Sequence, residues 1–233
     1  MLDVAELSAW YGKARILFDV SLKVDAGQCV ALMGRNGAGK STTMKAIMGL
    51  VPQRSGKVAF RGEAIEGLAP HQIARRGLGW VPEDRRIFTD LTVLENLDVG
   101  RQAARAGASP WTLAKVYKLF PNLAAMPNRL GGSMSGGEQQ MLTVARTLMG
   151  NPHLVLLDEP SEGVAPVIVE QMAAMIVELK KEGLAILLSE QNLHFARAVA
   201  DRAVVLEKGH VRFEGGFDAL MADEEVRRTY LAV

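Results

Sequence analysis

The run Gly34-Arg35-Asn36-Gly37-Ala38-Gly39-Lys40-Ser41, followed by Thr42, constrains this chain more than any other feature. Its spacing is that of the phosphate-binding loop G-x-x-x-x-G-K-[ST], which requires a strand before it and a helix after it. Both are present as patterns: the apolar run Cys29-Val30-Ala31-Leu32-Met33 precedes it, and a helical stretch follows that stops at Gly49, with Pro52 beyond. Glycines let successive backbone N–H groups turn inward around phosphate oxygens. The helix N-terminus adds positive potential there. Residues Gly34 to Thr42 are therefore expected to cradle a nucleotide's phosphates, with Lys40 reaching the terminal ones and Ser41 offering its hydroxyl to Mg²⁺.

Other short apolar runs, Leu154-Val155-Leu156-Leu157 and Ala185-Ile186-Leu187-Leu188, have the length of strands covered on both faces. The expected class is α/β with a parallel sheet. A helix is expected from Pro166 to Glu182, with Pro at its start and Gly183 past its end. Val204–Glu207 and His210–Phe213 flank Lys208-Gly209 as a hairpin. Residues 88 to 150 are rich in alanine and leucine and punctuated by Pro110, Pro121 and Pro127. They are expected to form a helical insertion in a single domain spanning residues 1–233, and a last helix is expected over Asp218–Leu231.

The bulk properties narrow the function classes. With 233 residues, 48% apolar and 23% charged, the chain has the composition of a globular domain with a well-buried core. A formal net charge of +1 gives no reason to expect nucleic acid as a partner. No run approaches the ~20 apolar residues of a membrane helix. Asp3 and Glu6 stand where a signal peptide would be basic and apolar. The lone Cys29, flanked by apolar residues, excludes an internal disulfide and reads as an inert core thiol. The expected location is the cytosol, with any membrane role exercised by docking.

Two further motifs carry chemistry. Leu154–Leu157 ends in Asp158-Glu159-Pro160, and the carboxyl end of a strand is where ligand groups sit in open α/β sheets. Alone, such an acidic pair serves as well for a helix cap. Beside a phosphate loop, Asp158 is placed to hold Mg²⁺ and Glu159 to act as general base toward an attacking water. The third motif is Ser135-Gly136-Gly137-Glu138-Gln139-Gln140, which opens a helix with apolar positions Met141, Val144, Ala145 and Leu148. Ser135, two glycines and a helix start make a second anion site.

Phosphate loop, acidic strand end and S-G-G-E-Q together resemble the ATPase domain of ABC proteins over essentially the whole chain. The resemblance implies a P-loop NTPase with a RecA-like core, a small antiparallel β subdomain and a helical subdomain. It implies head-to-tail dimers in which each ATP lies between the phosphate loop of one subunit and the signature Ser135–Glu138 of the other. ATP would favour the closed dimer by its differential affinity for that state. Tyr11, just before Gly12, would stack on adenine; the alternatives are a strand aromatic in the core and Trp10 in the stacking role.

The chain departs from the common family pattern at three places. Glu83, in Trp80-Val81-Pro82-Glu83, stands where many members carry a Gln toward the metal. Gln191, in Ser189-Glu190-Gln191-Asn192, stands at the switch-histidine position. It can donate and accept hydrogen bonds but cannot take up a proton, and His194 reads as a helix-surface residue. Ala165 stands where many relatives place Asp. These departures look most like one of the two ATPase subunits of branched-chain amino acid importers, and of related urea and amide importers.

That subgroup implies a second, different ATPase chain, although a homodimer stays open. It also implies two membrane-embedded permease subunits, a substrate-binding protein and a place on the cytoplasmic face of the membrane. Gln191 leaves open a subunit that clamps ATP and hydrolyses it poorly. Ile87 and Phe88, after Arg85-Arg86, are expected to offer apolar contact to a permease. A DNA-repair or translation factor is disfavoured by the single cassette, the lack of a heptad arm and the near-zero charge. A small-molecule kinase would not need Ser135 to Gln140.

Overall fold

The structure, a computed structural model, describes residues 1–107 and 110–231. A six-stranded sheet has the order β10-β9-β3-β8-β7-β6. Its members are β3 (Cys29–Met33), β6 (Leu78–Val81), β7 (Leu154–Asp158), β8 (Ala185–Glu190), β9 (Arg202–Glu207) and β10 (His210–Gly216). Five of them run parallel, and β10 returns antiparallel on β9 as the hairpin. Residues of β3, β7 and β8 are buried throughout because both faces of this sheet are covered.

Alternate residues of each strand feed different cores. Leu154 and Leu156 pack with a second, antiparallel sheet of order β2-β1-β4-β5, made of β1 (Leu2–Tyr11), β2 (Ala14–Val24), β4 (Gln53–Phe60) and β5 (Glu63–Ala64). Helix α1 (Lys40–Ile47) belongs to the same core, and α2 (Pro70–Arg75) adds Ile73. Val155 and Leu157 face the opposite core, formed with the helices between β6 and β7: α3 (Val93–Gly100), α4 (Leu113–Leu119), α5 (Pro121–Ala124) and α6 (Gly136–Leu148). Helix α7 (Pro166–Lys181) closes that side with Met172, Met175, Ile176 and Leu179, one stripe at helical spacing. Helix α8 (Leu193–Val199) follows β8.

The expected helix over 218–231 is broken. Helix α9 (Phe217–Ala222) stops at Asp223, whose backbone is extended and whose side chain accepts from the Val226 N–H to cap the short α10 (Glu224–Val226). Residues Arg227–Leu231 wind on in a wider turn. An Asp that bonds a nearby backbone N–H competes with helix continuation, so the break falls there.

Candidate nucleotide site

A cleft of about 500 Å³ opens at the carboxyl ends of the parallel strands, lined by Tyr11, Ile16, Asn36, Gly37, Gly39, Lys40, Ser41, Thr42, Glu83, Glu159 and Glu162. β3, β6, β7 and β8 all end here, so residues far apart in sequence meet without any long side chain having to span the sheet. The register pairs Met33 with Glu190 and Asp158 with Ser189, which aligns the loops that follow.

The phosphate loop is geometrically committed. Gly34 has φ +146, and a Cβ there would lie 2.4 Å from the Leu206 carbonyl oxygen of β9, so only glycine fits. Gly39 caps α1 in the left-handed conformation, and a Cβ would meet a Leu17 methyl at 2.8 Å. Arg35 and Ala38 contribute backbone: the Arg35 carbonyl accepts from Lys40, and the Ala38 carbonyl accepts from the Gly209 N–H. Arg35 lines a neighbouring cavity with Lys208 and Tyr230 and is not among the residues of this cleft.

Lys40 is 4% exposed, and its Nζ donates to the Gly34 carbonyl at 2.8 Å while pairing with Glu159 Oε1 at 3.0 Å. Gln191 Nε2 donates to the other oxygen, Glu159 Oε2, at 2.8 Å and to Asn36 Oδ1 at 2.7 Å. Both oxygens of Glu159 are thus engaged. Its backbone sits at φ 45, a left-handed conformation that a non-glycine residue keeps only where its surroundings enforce it. Burial pushes the Glu159 carboxyl up, but hydrogen bonds from Glu162, Lys40 and Gln191 outweigh it and hold it below the usual range. Glu162 is pushed up to about 7, first by the hydrogen bond it shares with Glu159, then by burial and by the charges of Glu159, Glu83 and Glu190. Near neutral pH, Glu162 therefore carries the proton of this pair for part of the time and donates it to Glu159.

The Ser41 hydroxyl donates to Asp158 Oδ1 at 3.0 Å. Burial raises the Asp158 carboxyl, and the bond from Ser41 opposes the shift. A hydroxyl and one carboxylate are hard oxygen donors that leave positions for phosphate oxygens and water, which suits Mg²⁺. Among the described residues no three His, Cys, Asp or Glu side chains converge to hold a metal unaided. Tyr11 is 48% exposed at the cleft mouth, so the core alternative for it fails. Trp10 is not among the residues lining the cleft, and the Arg15 guanidinium lies 5.3 Å from its ring. His194 is on the exposed face of α8, and Cys29 is buried with its thiol pushed up to about 12 by burial.

Ser135 to Glu138 do not line this cleft. The Ser135 hydroxyl accepts from the Glu138 N–H and Glu138 Oε2 accepts from the Ser135 N–H at 2.7 Å, a reciprocal cap on α6 that holds the Glu138 carboxyl down. The loop after Glu83 is tied to the same helix: Thr143 Oγ1 donates to the Arg85 carbonyl at 2.8 Å and Arg146 to the Arg86 carbonyl at 2.6 Å. Ile87 is half-buried against the helical core, whereas Phe88 is 47% exposed, lining a groove with Trp80, Val99 and Arg146. Phe88 offers the larger exposed apolar surface of the two. Sequence reasoning missed Glu162 and the buried Asn96, whose side chain bonds the backbone of Phe88, Leu91 and Thr92. It also missed Glu190 as a structural element. Glu162 stands three residues after Glu159, the one available signal.

Comparison with known proteins bears on the same residues. The chain is 43% identical, over 99% of both chains, to the high-affinity branched-chain amino acid transport ATP-binding protein BraG of Pseudomonas aeruginosa. It is 36% identical to the lipopolysaccharide export system ATP-binding protein LptB of Haemophilus influenzae, covering 99% of this chain and 97% of that one. A solved structure of the ATP-binding subunit of an ABC transporter superposes with a TM-score of 0.81 at 30% identity, covering 100% of this chain and 96% of that one. The ABC transporter family profile matches residues 17–162, phosphate loop, signature and acidic strand end included. With that match, and with the loop, the acid pair and the capped S-G-G helix all in place, the chain belongs to the ABC transporter family as an ATP-binding, ATP-hydrolysing member.

Proposed function

We infer that this chain is an ATPase subunit of a branched-chain amino acid importer. The carrying observation is the 43% identity to BraG across 99% of both chains, against 36% to the lipopolysaccharide exporter subunit. The E-Q-N run at Glu190–Asn192 supports the same side. The chain has no helix long and apolar enough to cross a membrane among its described residues. It works from the cytoplasmic face, seated under two permease subunits through the Phe88 groove.

The cleft supports the following roles. Tyr11 stacks on adenine, and the backbone from Gly34 to Thr42 takes the phosphates. Ser41 and Asp158, with Glu83 on the cleft wall, would hold Mg²⁺, which would supply neutralisation of phosphate charge. Lys40 turns from Glu159 to the terminal phosphates when ATP enters, because the polyphosphate carries more charge than one carboxylate. That move frees Glu159 Oε1, bonded to Lys40 at 3.0 Å beforehand, to accept the proton of the attacking water. Gln191 holds Oε2 in place and reaches the phosphate loop through Asn36. Ser135 to Glu138 lie off this cleft and serve the ATP of a facing subunit, so a dimer is the working unit.

Affinity purification from native membranes tests the assignment. A second, different ATPase with two membrane proteins supports the importer. Lipopolysaccharide-export membrane proteins, or copies of this chain alone, refute it. Stimulation of hydrolysis by Gln191→His would favour a subunit that clamps ATP and turns it over weakly.

A further inference from the structure

Glu190 ends β8 and is 2% exposed, yet no cation pairs with it among the described residues. Three backbone N–H groups and the Ser161 side chain answer its charge, and burial still pushes its carboxyl up. Oε1 accepts from Ser161 at 3.1 Å, and Oε2 accepts from Gln191 and from Asn192, each at 3.1 Å. Ser161 lies in the loop that begins with Glu159, whereas Gln191 and Asn192 begin the loop after β8. One side chain thus holds both loops. A buried carboxylate without a counter-ion is costly unless donors saturate it. A neutral residue would fill the same space without that cost, so the charge points to a task.

We propose that Glu190 is a positioning residue for ATP hydrolysis, fixing the loop that carries Glu159 and the loop that carries Gln191 in one register. The bonds around it close a ring. The Glu159 N–H donates to the Ser189 carbonyl at 3.0 Å, and Gln191 Nε2 returns to Glu159 Oε2 at 2.8 Å. Gln191 also grips Asn36 of the phosphate loop at 2.7 Å. Glu159 keeps its left-handed φ of 45 only while this frame holds. Glu190 does not line the cleft, so it acts through Glu159 and Gln191 and not on the nucleotide.

Glu190→Gln is the informative variant. Its amide has one acceptor oxygen, and its NH₂ group faces whichever loop is left, so one of the two loops loses its partner. The inference rests on Glu159 as the base. The assay is steady-state MgATP hydrolysis by the full chain with its co-purified membrane subunits, alongside equilibrium ATP binding to the full chain. The expected result is a kcat lower by about 10²-fold, as for a misplacement on the order of 1 Å, with KM and ATP affinity within roughly twofold. A wild-type kcat overturns the proposal, as does an equal loss of kcat and ATP affinity in protein that remains folded. Should Glu190→Gln fail to fold, Glu190→Asp keeps the charge but is too short for both loops. It is expected to lose kcat without KM, and a wild-type kcat there overturns the proposal. Glu159→Gln in the same preparation separates the two readings. If it turns over normally the base assignment falls, whereas a dead Glu159→Gln beside a normal Glu190→Gln sinks only the clamp.

Discussion

The Lys40–Glu159 pair makes a quantitative prediction about ATP binding. Both side chains are under a tenth exposed and lie 3.0 Å apart. At an effective dielectric near 20 their gross attraction is about 5 kcal/mol, most of it spent against the cost of burying two charges. A hydrogen bond to a charged group nets about 1.5–3 kcal/mol. ATP must displace that bond to recruit Lys40, so the pair competes with the nucleotide. Glu159→Gln removes the competing charge, while Lys40 keeps its bond to the Gly34 carbonyl at 2.8 Å. The expected Kd for ATP is lower by about 10- to 150-fold, at 1.4 kcal/mol per factor of ten. Hydrolysis should fall by about 10²–10⁴ with the loss of the base. Titration of the isolated chain with a fluorescent ATP analogue measures the first effect. Because the pair is buried, the gain should persist at high salt. Unchanged affinity, or a gain that vanishes with salt, refutes the reasoning.

Three further outcomes follow from named residues. Glu162 loses its proton as pH rises through about 7. Below that pH it donates to Glu159 and blunts it, and above it a like charge makes Glu159 more basic. Hydrolysis should therefore rise through neutrality, and Glu162→Gln should flatten that rise in a pH–rate profile. Asn96 is fully buried and bonds the Phe88 N–H and three carbonyls. Asn96→Ala strands these groups at a cost of about 3 kcal/mol, and thermal unfolding should move down by roughly 6–12 °C. Cys29, with its thiol raised from 9.0 to about 12, should resist thiol reagents until the chain unfolds. A raised folded value favours the neutral thiol in the native state. That contribution is complete below pH 9 and is lost as pH climbs toward 12, so urea midpoints should fall across that window.

The phosphate loop, the acid pair and the S-G-G cap were legible because each is local. Gly34 to Ser41 need only a preceding strand and a following helix, and Ser135 needs only Glu138 three residues on. The parallel sheet was legible in the unbroken apolar runs of β3, β7 and β8, where both faces are buried. The last helix was misjudged at Asp223, because a side chain that caps and a side chain that rides along look alike in sequence. Ile87 and Phe88 likewise read as one apolar pair, and only the turn of the backbone half-buried Ile87 against the core and left Phe88 47% exposed.

The sequence by itself determined the family, the nucleotide and the positions of the phosphate loop, the acids and the signature, since these depend on residue type at fixed short spacing. Only the tertiary structure decided that Lys40 sits on Glu159, that Gln191 bridges Glu159 and Asn36, and that Glu190 secures Ser161, Gln191 and Asn192. Those contacts span up to 155 residues of chain. They arise because strand order in the sheet, which no local pattern encodes, sets the ends of β3, β7 and β8 side by side.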